Sequence, residues 1–195
     1  YVAGDYDLMV VDISIPSDPI EVSNWHTTEQ VSDVAVWGSL LYAAAYSGLR
    51  IVNISDPAAL VEIGFYDSPG VPHGVAISGE FAYVADGSSG LRVVNILDPR
   101  NPTEVGFLDD SSGIARDIAI SGDYAYVAND SYGLQVVSIT DPTQPFEVGL
   151  YDTPGYAMSV AVSGNYAFVA DYVYGLRVLD ITDPTNPTEV GYYDT

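Results

Sequence analysis

Acidic side chains recur at one position of the sequence and could bind cations. Asp67, Asp109, Asp152 and Asp194 each follow a similar apolar segment, and His26 takes this place in the earliest segment. Carboxylate oxygens are ligands that Ca²⁺ prefers. We favour the alternative of an Asx-type cap on the following turn, because one carboxylate per segment is too widely spaced for a single ion. No cofactor is therefore expected; Ca²⁺ is the alternative, with Asp67, Asp109 and Asp152 as its candidate ligands.

A second group of polar residues lies where equivalent segments differ most. The pairs at this position are Ser32-Asp33, His73-Gly74, Arg116-Asp117 and Met158-Ser159. Variation at an otherwise regular position is what a binding site added to a repeated scaffold would show. Solvated side chains that are free to vary are the alternative. The candidate ligand-binding residues are Asp33, His73, Arg116 and Asp117.

Tyrosines are concentrated at the ends of the apolar segments. Tyrosine combines a large apolar surface with one hydroxyl, which suits protein interfaces and stacking against carbohydrate, although it is also a good strand former. We expect partners among other protein chains or further copies of this chain, with carbohydrate as another candidate. The interface candidates are Tyr1, Tyr6, Tyr132, Tyr172 and Tyr174. Asn129 begins an Asn-Asp-Ser motif and is a glycosylation candidate if the protein is secreted.

Sets of residues that would indicate an enzyme are weak. The two histidines, His26 and His73, lie in no motif of a Ser-His-Asp triad, and no glycine-rich phosphate loop is present. We therefore expect no enzymatic activity. The alternative is a ligand-binding or hydrolase site near His73, Arg116 and Asp117.

The composition excludes several classes of partner. The formal net charge is −22, and the five cationic residues apart from histidine are all arginine. Such a chain is repelled by nucleic acid and by anionic membrane surfaces. No apolar run approaches the length of a membrane span, so direct membrane insertion is not expected. Without cysteine, disulfides and cysteine-based zinc sites are excluded.

These residues lie in a sequence that consists of about five copies of one repeat unit. Gly-Leu recurs at positions 48, 90, 133 and 175, in steps of 42 or 43 residues, and Asp7-Leu8 fills the same place one unit earlier. A glutamate repeats with nearly the same period, at Glu21, Glu62, Glu104, Glu147 and Glu189. Two markers with one period indicate a repeat protein.

Each unit contains four short apolar segments separated by Ser-Gly, Asp-Pro and Asn-Pro turns, which is typical of strands. We name the strands a to d. In the last unit we predict strand a at 159–163, a tight Gly164-Asn165 turn in which both residues tolerate positive φ, strand b at 166–170, strand c at 176–181 and strand d from 188 to about 193. Tandem four-stranded antiparallel units of this length predict an all-β fold, a β-propeller. Its b–c and d–a loops share one face, where ligands are more plausible.

The stretches "GLRVVNILDP", "GLQVVSITDP" and "GLRVLDITDP", each after an "AYVAD"-like strand, resemble the LVIVD repeat. The resemblance covers essentially the whole chain and implies a β-propeller that lies outside a bacterial or archaeal cell, often within a larger surface protein. It implies no common active site, so no catalytic residue is transferred. The first unit departs most, since "GDYDLMVVDISIPSDP" replaces both Gly-Leu and the Asp-Pro turn.

We therefore predict a single domain of about five blades, at residues 1–30, 31–70, 71–113, 114–155 and 156–195, as a complete propeller or as part of a larger one. The first blade lacks its innermost strand a, which residues beyond this segment or another copy would supply. The expected function is a non-enzymatic extracellular or cell-surface structural or interaction module, which self-assembles into oligomers or a filament through its open blade edge. The alternative is the ligand-binding or hydrolase propeller, with its site at the channel mouth on the b–c and d–a loop face.

Overall fold

A computed structural model describes residues 1–3, 6–109 and 113–194, and these residues form five antiparallel sheets. Blade 1 has three strands, β1 (Val2–Ala3), β2 (Asp7–Asp12) and β3 (Ile20–His26). Blade 2 has β4 (Val31–Trp37), β5 (Leu40–Ala45), β6 (Gly48–Asn53) and β7 (Val61–Asp67), and blade 3 has β8 (Gly74–Ser78), β9 (Phe81–Ala85), β10 (Leu91–Asn95) and β11 (Thr103–Leu108). Blade 4 has β12 (Asp117–Ser121), β13 (Tyr124–Ala128), β14 (Leu134–Ser138) and β15 (Phe146–Tyr151). Blade 5 has β16 (Ser159–Ser163), β17 (Tyr166–Ala170), β18 (Leu176–Asp180) and β19 (Thr188–Tyr193).

The predicted fold class is confirmed, and blade 1 lacks strand a as expected. In blade 5 the observed strands match the predicted ones to within a residue. The a–b hairpin there has a two-residue loop, but only Gly164 has a positive φ, of 57°, whereas Asn165 was expected to tolerate one as well. The one helical turn in the described residues is a 3₁₀ turn at Tyr172–Tyr174, within the b–c loop. None of the described residues forms a helix that is long and apolar enough to cross a membrane.

Apolar side chains project from both sides of each blade because successive strand residues point to opposite faces. We call the side toward the following blade the front face and the other side the back face. At four equivalent positions, the front faces contain Tyr42, Ala44, Leu49 and Ile51 in blade 2, Tyr83, Ala85, Leu91 and Val93 in blade 3, and Tyr126, Ala128, Leu134 and Val136 in blade 4. They pack on back faces that contain Ala82, Val84, Val94 and Ile96 in blade 3, Ala125, Val127, Val137 and Ile139 in blade 4, and Ala167, Val169, Leu179 and Ile181 in blade 5. The core is thus a series of dry interfaces between neighbouring blades.

The innermost strands β4, β8, β12 and β16 lie side by side around the centre. At the outside, strand d of one blade approaches the c–d turn of the next. A Cβ on Gly149 would collide with the carbonyl oxygen of Pro184, and Gly64 and Gly106 meet the equivalent turns in the same way. Glycine fills this position in blades 2 to 4, where the following turn approaches closely, whereas blade 1 has Ser23, whose hydroxyl donates to the Pro57 carbonyl of blade 2.

This contact predicts unequal effects of one substitution in two blades. Gly149→Ala should lower the free energy of unfolding by about 1–3 kcal/mol, because the added methyl has no space. Gly191 is the equivalent residue of blade 5, has no positive φ, and has no heavy atom of the described residues within 4 Å of a built Cβ. Gly191→Ala should leave the free energy of unfolding unchanged or raise it by about 0.4–1 kcal/mol. Urea denaturation measures both variants, and equal losses would contradict this account of the packing.

Candidate functional site

The four predicted ligand-binding residues do come together. Asp33, His73, Arg116 and Asp117 all line one cavity of about 260 Å³, beside the innermost strands. The four residues lie near the start of three innermost strands or directly before them, Asp33 in β4, His73 before β8, and Arg116 and Asp117 at β12, so the ring of strands gathers them at one end of the centre. Their role in ligand binding stays a prediction.

Two of these residues already bind the neighbouring blade. The Asp33 carboxylate accepts a hydrogen bond from the backbone N–H of Val75 at 2.9 Å. Asp117 accepts one from the Val160 N–H at 2.9 Å and one from the Ser159 hydroxyl at 2.5 Å. Burial raises the pKa of Asp33, and the negative charge of Asp117 adds to the effect, while two backbone N–H groups oppose it. These two carboxylates therefore join consecutive innermost strands.

The other two residues form the cationic part of the cavity. The Nε and Nη2 atoms of Arg116 donate to one carboxylate oxygen of Asp130 at 2.9 and 2.7 Å. His73 is half-buried, and its pKa is lowered first by burial and then by the positive charge of Arg116. His73 is accordingly neutral at neutral pH, and the charge of Arg116 is balanced by Asp130.

A second cavity, of about 380 Å³, opens on the loop face between blades 4 and 5. We call it the tyrosine cleft; it is lined by Ile114, Arg116, Asp130, Tyr156, Met158 and Tyr172. The rings of Tyr156 and Tyr172 meet edge to face, with centroids 6.2 Å apart and planes at 70°. Sequence reasoning named Tyr172 as an interface residue but missed Tyr156, although it takes the place of Val71 and Ile114 in the earlier blades.

The remaining tyrosine candidates are spread over the molecule. Tyr6 and Tyr174 are exposed in the b–c loops of blades 1 and 5, whereas Tyr1 and Tyr132 are exposed to a smaller extent. Tyr174 also packs over the guanidinium of Arg177, at 5.8 Å. The interface role of these residues stays a prediction.

The recurrent carboxylates do not gather around a common point. In the described residues, no three or more His, Cys, Asp or Glu side chains form a group that could hold a metal ion. Asp109 instead lies 2.5 Å from Nη2 of Arg92, and Asp194 lies 3.2 Å from Nη2 of Arg177. Both arginines belong to strand c, so two of these carboxylates form ion pairs that spacing alone did not reveal.

The position of Asn129 in the structure is not compatible with the predicted glycosylation. Its side chain is fully buried, and a Cβ on Gly113 would collide with its side-chain oxygen. The folded blade has no room for a glycan there, so the glycosylation hypothesis is wrong for this structure. The motif matched because an asparagine occupies the position that Asp86 and Asp171 occupy in other blades.

A sequence model of the LVIVD repeat matches the chain at residues 1–27, 30–68, 69–110, 112–153 and 154–195. The chain belongs to the LVIVD-repeat family. Comparison with curated proteins finds no match. The fold is similar to the crystal structure of the computationally designed Ika8 protein, with a TM-score of 0.71 and 13% sequence identity. The aligned region covers 97% of this chain and 56% of the Ika8 chain, so this chain spans little more than half of that structure.

Blades 3 and 5 of this LVIVD protein share a buried polar network that joins strands b, c and d. In blade 3, Asp86 accepts hydrogen bonds from the Ser68 hydroxyl at 2.5 Å and from the Gly70 N–H at 2.8 Å. Arg92 lies 3.9 Å from Asp86, and its guanidinium also stacks on the ring of Phe107 at 4.9 Å. Blade 5 repeats the arrangement with the residues Asp171, Thr153, Gly155, Arg177 and Tyr192.

Two LVIVD blades vary this network in an informative way. In blade 4 the neutral residues Asn129 and Gln135 replace the Asp–Arg pair. The side-chain amide of Gln135 donates to Glu147 at 2.8 Å. In blade 2, Ala45 takes the aspartate position, and Glu29 supplies the carboxylate, 2.9 Å from Arg50. The charged pair therefore changes as a unit, as expected when one buried charge requires the other.

Replacing both members of the pair should lower the free energy of unfolding by less than the sum of the two single replacements. Asp86→Asn and Arg92→Gln each leave a buried partner charge, whereas the double variant reproduces the chemistry of blade 4. We expect a coupling energy of about 0.5–3 kcal/mol from a double-mutant cycle in urea. Arg100→Gln, at an exposed turn, should change the free energy of unfolding by less than about 0.5 kcal/mol. Additive losses at positions 86 and 92 would show that the pair is not coupled.

Buried and turn aspartates should change the stability in opposite directions as pH falls. Burial raises the pKa of Asp33 and Asp86, so the folded state binds these protons more tightly than the unfolded chain. Their contribution is present below the ordinary aspartate pKa of about 3.9 and is lost as pH rises through the raised values. Turn aspartates such as Asp141 and Asp183 have the opposite effect on stability. Hydrogen bonds from the side chain and backbone of a nearby threonine lower their pKa, so their contribution is lost as pH falls through the lowered values.

Asp33 and Asp86 should therefore raise the free energy of unfolding as pH falls through their raised pKa values, whereas His73 and the turn aspartates, whose pKa values are lowered, act in the opposite direction. The variant Asp33→Asn with Asp86→Asn isolates the buried carboxyl groups, and urea titrations at several pH values measure both proteins. The free energy of unfolding of the unmodified protein minus that of the variant should grow as pH falls, because only the unmodified protein takes up these two protons on folding. A difference that shrinks as pH falls would contradict the assignment.

Proposed function

We propose that this protein is a non-enzymatic module of an extracellular or cell-surface protein of a bacterium or archaeon, and that it assembles with further copies through its two open blade faces. One observation carries the proposal. The front face of blade 5 contains Phe168, Ala170, Leu176 and Val178, at the positions that are buried in blades 2 to 4.

The exposed fractions measure how far this face is open. Leu176 is 38% exposed, whereas its counterparts Leu49, Leu91 and Leu134 are at most 2% exposed. Phe168 and Val178 are partly exposed and Ala170 is exposed. An apolar sheet face of this kind is typical of an interface.

Blade 1 presents the complementary surface. Its back face contains Val2, Val11 and Ile13, equivalent to residues that pack on a preceding blade elsewhere. Ile13 is 69% exposed, whereas the equivalent Ile96 and Ile139 are nearly buried. The same chain therefore carries both halves of a blade interface. Such unlike surfaces join copies head to tail, into rings or filaments.

Contacts between the existing blades specify how two copies would align. The hydroxyl of Tyr66 donates to Glu104 of the next blade, and Tyr151 donates to Glu189 at 3.4 Å. Tyr193 holds this position in blade 5 and is exposed, as is Glu21 in blade 1. Docking in the established geometry would join Tyr193 to Glu21 of a second copy, and would place Gly191 against its Pro16 turn. The stability comparison of Gly191→Ala with Gly149→Ala therefore applies to monomeric protein.

Further features support the non-enzymatic and extracellular parts of the proposal. Asp33 and Asp117, the acidic residues at the channel mouth, are engaged in hydrogen bonds between blades, which favours a structural role over a hydrolase role. A chain with five arginines and no lysine offers few sites to trypsin-like proteases, which suits life outside the cell.

Complementation between two variants tests the assembly. Leu176→Asp should abolish association through the front face, and Ile13→Asp should abolish it through the back face; each protein alone should sediment as a monomer. An equimolar mixture should form a dimer, because each variant retains the face that the other has lost. Leu97→Asp, at an exposed turn outside both faces, is the control and should associate like the unmodified chain.

Sedimentation velocity at several protein concentrations provides the measurement. A strictly monomeric unmodified protein would contradict self-assembly and would leave a further blade, of this protein or of another chain, as the occupant. Dimers formed by either variant alone would instead show that association uses another surface.

A further inference from the structure

The tyrosine cleft departs from the repeat at two positions at once. Tyr156 stands where blades 3 and 4 have Val71 and Ile114, and Tyr172 stands where blade 3 has Gly87. Both aromatic side chains are half exposed or more, and they contact each other across the cleft. Two such replacements, one from each loop of the same blade, create an aromatic wall that the other blades lack.

The backbone conformation at Tyr172 does not favour a bulky side chain. Gly87, Asp130 and Tyr172 all have a positive φ, of 59°, 46° and 46°. Gly87 and Asp130 pair through their backbones with Ala115 and Ala157 before the next blade, which explains why this position is left-handed. Glycine meets that requirement without strain, whereas a bulky aromatic residue is an outlier there. Strained positions of this kind cluster at ligand sites.

The floor of the cleft offers both donors and acceptors without net charge. Two nitrogens of Arg116 donate to the same carboxylate oxygen of Asp130. The Arg116 side chain remains partly exposed. The pair is neutral overall, and the protein carries a net charge of −22. An anionic ligand is therefore disfavoured, whereas neutral hydroxyl groups can both accept from the guanidinium and donate to the carboxylate.

We propose that the tyrosine cleft is a binding site for a neutral saccharide. The apolar C–H face of a pyranose packs against Tyr156 and Tyr172, and its hydroxyls bind Arg116 and Asp130. Met158 and Ile114 complete the apolar wall. The volume of about 380 Å³ is within the range of small-molecule sites, of about 300–1,000 Å³, and suits one or two sugar rings. The proposal is independent of head-to-tail assembly, because the cleft is formed by blades 4 and 5 of one chain.

Saturation-transfer NMR and calorimetry with a panel of neutral disaccharides test the site. Cellobiose, chitobiose, xylobiose, maltose and lactose are the probes, and a digalacturonate is the anionic comparison. At least one neutral disaccharide should bind, and the digalacturonate should bind more weakly. Binding that favours the digalacturonate, or no binding of any neutral probe at about 10 mM, would overturn the proposal.

Two variants separate a ligand role from a structural one. Tyr172→Gly reproduces blade 3, so it should weaken sugar binding about tenfold or more while the thermal midpoint stays the same or rises. Tyr156→Val reproduces the aliphatic residue of blade 3 and should also weaken binding. Tyr132→Ser is the matched control, a loop tyrosine outside the cleft, and should bind as the unmodified protein does.

The same experiment distinguishes this proposal from the assembly. The monomeric Leu176→Asp protein should bind the sugar with unchanged affinity. Unchanged binding by both cleft variants would place the sugar elsewhere and would contradict the proposal, whatever the state of assembly.

Discussion

Packing of one blade's front face against the next blade's back face is the contact on which the other features depend. Each blade is a single sheet with apolar residues on both sides, so it cannot bury both of them alone. The four positions on each face supply a core that repeats from blade to blade. Stability in such an array is close to a sum of blade and interface terms, and among the five described blades the first and the fifth each lack one interface. The exposed Leu176 and Ile13 are the direct consequence of this arrangement.

The polar networks follow from the same packing. Arg92 and Arg177 lie almost out of contact with water, where a charge requires a partner, and the carboxylates of Asp86 and Asp171 are fully buried beside them. Blade 4 avoids that requirement with glutamine and asparagine. Because three of the five arginines are occupied in these networks or in the pair of Arg50 with Glu29, the outer surface is left strongly acidic. Two copies must therefore overcome mutual repulsion to dock, so salt should favour their association.

The repeat made the fold predictable, because the markers at Gly-Leu and Glu recur through the whole chain and short strands between turns permit few alternatives. The gathering of Asp33, His73, Arg116 and Asp117 was also predictable, since equivalent positions of a ring must meet at its centre. The contacts of these side chains were not predictable: the hydrogen bonds of Asp33 and Asp117 to the neighbouring strand depend on the distance between blades. Asn129 shows the limit of a local motif, because three residues matched a glycosylation signal, whereas the structure buries this position in blades 3, 4 and 5 alike.

Departures from the repeat distinguish residues that the packing of blades requires from residues that serve another role. Gly149 and Asp86 have roles in packing that equivalent residues share, so each is explained by the neighbouring blade. Tyr156 and Tyr172 have no such explanation, since Val71 and Gly87 satisfy the same positions with less strain. The two kinds of surface also differ in location: the open faces lie at the ends of the array, and the cleft lies on the loop face within it. An array built this way can join further blades at its ends without closing the cleft, because association and ligand binding use different residues.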